Sequence, residues 1–209
     1  FLAGSSVPLA QRKPALELPP GTLIDEAIAI HGGPVESYDF HGLELLQSMV
    51  ESRLRGETGV SKIQFFDSQQ VKDNATKGYW SEDLVNQAMK AELGYVPKNL
   101  AHIKGEDEIE PHAIQLTYND GLKATVLRVG HDSTRWNFAC RLQGESSPRA
   151  SAFYVGPWEN RNLFKALSHA IQVHFQTGEA PYPVERTLLV TGMLAAAMQA
   201  RVSKSHVLK

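Results

Sequence analysis

What the chain lacks narrows its identity quickly. Its 209 residues hold one cysteine, Cys140, so neither an internal disulfide nor a thiolate zinc site can be built and the fold must rest on packing. No G-x-G-x-x-G follows a strand-like run and no G-x-x-x-x-G-K-[ST] occurs anywhere, which removes two common nucleotide fingerprints. Charge of neither sign dominates: 21 Lys and Arg stand against 23 Asp and Glu, a net −2. Such a surface does not concentrate nucleic acid or an anionic membrane, and neither is an expected partner. No apolar run reaches the roughly 18 residues of a membrane span; the richest, Leu188 to Met198, is interrupted by Thr191 and Gly192. The opening FLAGSSVPLAQRKP has no apolar core of signal-peptide length, so a cytoplasmic location is expected. An initiator Met is missing too, and the chain reads as a piece of a longer protein.

The remaining composition, 42% hydrophobic and 21% charged, is that of an ordinary globular domain. Residues 1–22 are rich in Gly, Ser and Pro and read as an extended arm with a short strand at Ala15–Leu18. Residues 23–209 form the domain. Ile24, Ile28 and Ile30 predict a strand from Leu23, broken by Gly32-Gly33-Pro34. A helix follows over Tyr38 to Arg55, with Leu43, Leu46, Val50 and Leu54 on one stripe, Ser37 as N-cap and Gly56 at its end. Ile63 to Phe66 reads as a strand, and Ser81 to Leu93 as a helix closed by Gly94. A long polar connection then runs from 94 to 110.

From His112 the period changes to two. Ile114, Leu116 and Tyr118, the Asp120-Gly121 turn, and Leu122, Ala124 and Val126 predict a hairpin. Trp136 to Leu142 and Ala150 to Val155 extend it into an antiparallel meander. Two helices close the chain, one over about Asn162 to Thr177 and one that starts after Pro183 and runs to about Val202. The first carries Leu163, Leu167, Ala170, Ile171 and His174 inward, and Gly192 in the second suggests close helix packing. The expected fold class is α+β: a two-layer, mostly antiparallel open sheet with helices packed on one face.

Few residues stand out chemically. Gly32-Gly33 sits between a strand and a helix, where amides could meet an anion, though a glycine pair at such a turn is far more often a steric necessity. The histidines lack a metal pattern, because His169 and His174 are five apart and point about 140° from each other on a helix. His102 and His112 flank a solvated acidic run, and Cys140 alternates with Trp136 and Phe138 as a buried small hydrophobe. Asn74-Ala75-Thr76 fits a glycosylation acceptor, a triplet that also arises by chance. His41 is the exception. It lies in the first turns of a helix, close in sequence to Asp39 and Glu44, where a carboxylate can orient an imidazole for acid–base work.

The stretch GGPVESYDFHGLELLQSMVESRLRGETGV, from Gly32 to Val60, resembles the C-terminal half of oxidoreductases of the glucose–fructose oxidoreductase and inositol dehydrogenase family. YNDGLKATVL from Tyr118 and GEAPYPVERTLLVTGML from Gly178 continue the resemblance, and FLAGSSVP resembles the segment leaving the family's first domain. The resemblance implies a two-domain parent whose N-terminal Rossmann domain binds NAD(P) and carries the catalytic lysine; this chain alone would bind no cofactor. It implies further that the C-terminal domain supplies the substrate pocket for a sugar or cyclitol derivative and forms a homo-oligomer through its open sheet.

The family places an Asp four residues before a His at the start of this helix. Here His41 falls on the histidine, Ser37 on the aspartate, and Glu36 and Asp39 are the nearby acids. His41 and Asp39 are therefore the expected catalytic pair, with Tyr38, Glu36 and Ser37 as substrate-binding residues. The Ser37 departure motivates a competing reading, a non-catalytic binding or scaffold domain that dimerises through its sheet. A hydrolase or metal-dependent lyase stands third.

Overall fold

Alternating apolar residues settle into strands and the longer 3.6-period runs into helices, in an order close to that expected. The computed structural model describes residues 2–97, 110–203 and 207–208. A short 3-10 turn, Val7–Leu9, precedes β1 (Gln11–Lys13), β2 (Ile24–His31) and α1 (Ser37–Val50). Then come β3 (Val60–Phe66), the short α2 (Ser68–Lys72) and α3 (Asn74–Lys77), and α4 (Glu82–Leu93). The second half runs through β4 (Ala113–Tyr118), β5 (Lys123–Arg128), β6 (Trp136–Leu142), β7 (Arg149–Tyr154), α5 (Arg161–Thr177), α6 (Glu185–Val202) and β8 (Val207–Leu208). Most of the expected connection from 94 to 110, with His102, lies outside the described residues.

All eight strands form one sheet in the order β1-β7-β6-β2-β5-β4-β3-β8. Every neighbouring pair is antiparallel except β2 and β5. The fold class is α+β with an open, mostly antiparallel sheet. The meander, however, is interrupted: β2 sits between β5 and β6, so the hairpins β4–β5 and β6–β7 are not neighbours. The chain between them passes over the end of β2, where the Val129 N–H bonds the His31 carbonyl at 2.9 Å. Gly32 permits this crossing, since a Cβ there would collide with the Asp132 backbone.

Alternation along the strands buries both faces. Ala27 and Ala29 of β2 join Ile114, Leu116, Val126 and Phe138 on the face that α1 covers, while α6 lies beside α1 over β3. Ile28 and Ile30, one residue out of phase, join Leu127, Ala139, Trp80, Leu84, Val85 and Met89 on the opposite face. There α4 packs over β6, β7 and β2, so helices cover both faces where one was expected. Its stripe of Leu84, Val85, Ala88 and Met89 is wholly buried. The expectation of a free sheet face for self-association fails across these central strands.

α1 supplies the main wedge of the core, with Leu43, Leu45, Leu46 and Met49 buried; truncating a leucine in such a place costs about 2–5 kcal/mol. Its N-cap is Glu36 rather than Ser37, and it ends at Val50, short of Arg55. The chain beyond Val50 bonds the arm instead of its own helix: Gly21 N–H to Ser52 carbonyl at 2.8 Å, and Leu54 N–H to Thr22 carbonyl at 2.9 Å. Buried Arg53 fixes this turn, donating to the Val50 carbonyl, Asp120 and Thr58.

The periphery differs more. The arm forms β1 at Gln11–Lys13, paired with β7, and no strand at 15–18. Of the residues expected to face inward on α5, only Leu163 is buried; His174 lies near the surface, its Nδ1 paired with the Glu179 carbonyl. Gly192 has nothing within van der Waals reach of a Cβ, so no close packing explains it. Asn74 is buried and bonds Trp80 and Glu82, which removes it as a glycosylation acceptor.

Candidate functional site

Four adjacent strands bring one polar or aromatic residue each to a single edge of the sheet. β2 and β5 run parallel and finish there, at His31 and Arg128; β6 begins there with Trp136, and β4 begins just after His112. In the ladder Trp136 pairs with His31, and His31 with Arg128. The Arg128 N–H continues the row by bonding the His112 carbonyl at 2.9 Å. Two-residue alternation turns all four toward α1, on the face that carries Phe138, Ala29, Val126 and Ile114.

The first turns of α1 meet this row. Asp39, fully buried, accepts from His31 Nε2 at 2.9 Å and from His112 Nε2 at 2.7 Å, both on Oδ1. Its Oδ2 accepts the Glu36 N–H at 2.7 Å, which pins the helix start and holds Glu36 at a positive φ of 69°. Burial alone would raise the Asp39 pKa. The hydrogen bonds from His112 and His31 outweigh it and hold the carboxyl far below the usual range.

His31 is neutral, its pKa lowered by burial against the opposing pull of Asp39. The Gly33 N–H donates to its Nδ1 at 3.3 Å, and these partners assign the ring proton to Nε2, facing Asp39. That assignment bears on metal binding. His31, Asp39 and His112 place three ligand atoms within 4.8 Å of one another, the composition of a two-histidine, one-carboxylate centre. A metal on neutral His31 Nε2 needs the proton on Nδ1, where an amide donor already points. The group fits hydrogen bonding better than a cation.

His41 stands apart from this network. The expected pair with Asp39 is not formed, because both oxygens of Asp39 are taken by His31, His112 and Glu36. His41 Nδ1 instead lies 2.8 Å from the Ser5 hydroxyl, carried in by the arm. The Val7 N–H also donates to that hydroxyl. Burial, then the neighbouring His31, lower the His41 pKa and keep the ring neutral near pH 7. Tyr38 and Trp136 stack at 5.2 Å beside it, and the His41 ring stands edge-on to both. Tyr38 is half-buried, while Glu36 and Ser37 are exposed at the helix start. One turn along α1, buried Glu44 has no hydrogen-bond partner of good geometry for either oxygen. Burial raises its pKa, with Thr187, Arg186 and the Ser5 backbone only partly countering.

Sequence reasoning reached the α1 residues and missed the row. One signal was present: extending the apolar alternation of β4 and β5 by one step beyond Ile114 and Val126 lands on His112 and Arg128, whereas His31 lies on the Ala27–Ala29 face, out of phase with the isoleucines that marked β2. Cys140 is buried as expected, its thiol pushed up to about 12 by burial.

The Gly32-Gly33 turn does not fit a dinucleotide phosphate, and the Gly33 N–H is already given to His31 Nδ1. At Gly32 and Gly33, where an anion could meet backbone amides, the space a Cβ would occupy is filled by the Asp132 backbone and the Tyr38 ring. A separate apolar groove of about 430 Å³, lined by residues including Ile63, Leu188, Gly192 and Met193, contains no member of the site. No helix among the described residues is long and apolar enough to cross a membrane.

Comparison with known proteins gives no sequence match: neither a protein-family model nor a curated protein corresponds to the chain. Structure does. The myo-inositol dehydrogenase of Lactobacillus casei, solved with NAD(H) and myo-inositol, superposes with a TM-score of 0.50 at 16% identity, over 90% of this chain and 53% of that one. The fold is one found in myo-inositol dehydrogenase. The enzyme from Lactobacillus plantarum matches at a TM-score of 0.48 and 10% identity, over 90% of this chain and 57% of its own. That from Corynebacterium glutamicum matches at 0.45 and 10%, over 84% and 53%. The chain thus spans about half the length of these dehydrogenases.

Proposed function

We propose that this chain is the substrate-binding part of a nicotinamide-dependent oxidoreductase acting on a polyol, a sugar or cyclitol derivative. In this reading NAD(P) belongs to a Rossmann domain elsewhere in the parent protein, since the glycine pair here leaves no cradle for it. His41 is the acid–base residue.

One observation carries the assignment, the contrast among the histidines of the site. His31 is held at both nitrogens by partners that cannot reverse, an amide donor and a carboxylate acceptor. His41 is held at Nδ1 by a hydroxyl, which can donate or accept. Its Nε2 makes no hydrogen bond among the described residues. His41 can therefore give or take a proton at Nε2, toward a substrate hydroxyl or carbonyl oxygen, while Nδ1 stays satisfied in either tautomer. Asp39 is a positioning residue: it ties the start of α1 to the strand row and so places Tyr38 and His41.

The test is His41→Ala in the complete parent, with turnover of cyclitols and sugars measured against NAD(P) reduction. Loss of an acid–base group should lower kcat/KM by about 10²–10⁴-fold. An unchanged kcat/KM removes His41 from the chemistry. A partner surface also belongs to the proposal, on the outer side of the molecule: Trp158, Phe164 and Phe175 stand exposed beside or on α5, Phe175 at 84%. We assign that surface to the parent's other domain, because the chain spans only 53% of the dehydrogenase it superposes on.

A further inference from the structure

We infer that the site takes a substrate bearing a carboxylate, a polyhydroxy acid rather than a neutral polyol, and that Arg128 binds that group. The inference rests on the polyol reading above and names the class of substrate within it.

Two buried donors in the strand row lack acceptors. Arg128 Nε and Trp136 Nε1 are both shielded from solvent and make no hydrogen bond. Buried polar atoms are nearly always paired, so two on one row call for a common explanation. They sit on β5 and β6, the strands flanking His31. The Arg128 guanidinium, half-exposed, forms no ion pair or hydrogen bond among the described residues. Asp39, whose charge acts on Arg128, is already saturated by His31, His112 and the Glu36 amide. An acceptor-rich group arriving from outside supplies what the Arg128 guanidinium lacks.

Charge selects the carboxylate. The row holds one unpaired cation, Arg128, beside one buried carboxylate, and His31 and His41 are held neutral. A monoanion is matched by the guanidinium, with two parallel N–H···O bonds available. A phosphate dianion would add a second negative charge next to Asp39 with no further cation to meet it.

The test uses the chain with its Arg128 Nε–Hε NMR signal, assigned by its loss in Arg128→Gln, titrated with D-glucuronate, D-glucose, D-glucose 6-phosphate and acetate. D-glucuronate should move the signal to saturation and bind at least about tenfold tighter than D-glucose, the margin of one charge-assisted hydrogen bond. That margin should vanish in Arg128→Gln and persist in His41→Ala. A signal unmoved by D-glucuronate, or D-glucose binding as tightly, overturns the inference. Tighter binding of D-glucose 6-phosphate overturns the choice of carboxylate. If acetate moves the signal and D-glucuronate binds no tighter than acetate, the polyol reading falls while the anion site stands. The affinities for D-glucuronate and D-glucose are also read by calorimetry in the unaltered chain, so their comparison survives a variant that fails to fold.

Discussion

Replacing Asp39 by Asn changes one oxygen to an NH₂ and removes one charge, in a place with no room to adjust. The carboxylate receives three donors: His31 and His112 on Oδ1 and the Glu36 amide on Oδ2. An asparagine carbonyl can keep one side of this arrangement. Its NH₂ then faces either an amide N–H or two imidazole N–H groups, donor against donor. Disrupting one partner of a buried charged network costs about 3–5 kcal/mol. For a domain of this size that is a fall in Tm of roughly 6–20 °C, at about 2–4 °C per kcal/mol. Thermal and urea unfolding of both proteins across pH measure it.

The sign of the pH dependence follows from the direction of the shift. The folded-state pKa of Asp39 is lowered, so its contribution is complete above the unfolded value of about 4 and fades as pH falls through the folded value. The gap between wild type and Asp39→Asn should be level from pH 5 to 8 and narrow only in stronger acid. A variant within about 1 kcal/mol of wild type at pH 7 would refute the account of Asp39 as the tie between helix and row.

Other expectations are simpler. Gly192→Ala should raise stability by about 0.5–1 kcal/mol, since the new methyl meets open space in a helix interior; a lower urea midpoint would count against the helix geometry. Gly32→Ala should destabilise by about 1–3 kcal/mol, because its Cβ meets the Asp132 backbone, which cannot swing aside; an unchanged midpoint would place the β5–β6 crossing elsewhere. His31 is buried with a lowered pKa, so the unfolded chain takes its proton first and wild-type stability should decline as pH drops below about 6.5. Chemical denaturation at pH 7.5 and 5.5 reads this directly.

Elements were more legible than their arrangement. β2, α4, the β4–β5 hairpin and both late helices follow from local periodicity and turn chemistry, which act within a few residues. The place of β2 between β5 and β6 depends on a crossing that no local pattern encodes, and Gly32 reads as an ordinary turn glycine until the Asp132 backbone lies against it. α1 ends early because Ser52 and Leu54 find backbone partners in the arm, about thirty residues away in sequence. The candidate site divides likewise. His41 and Asp39 stood out by crowding at one helix end, but proximity in sequence suggested the wrong partnership. Asp39 bonds a histidine 8 residues before it and another 73 after it. His112 looked like part of an acidic, solvated run because the strand row that buries it is assembled from remote segments.

The Trp136–His31–Arg128–His112 row has a consequence for how this protein can change over time. Each member depends on the phase of its strand, and a one-residue slip within a strand sends its side chains to the opposite face. A single-residue insertion inside β2 would trade His31 for an apolar neighbour and dismantle the site while leaving the sheet paired. Loops between strands carry no such restriction. Among descendants of this chain, lengths should drift freely in the connections and stay fixed, residue for residue, in the four strands that end at this edge.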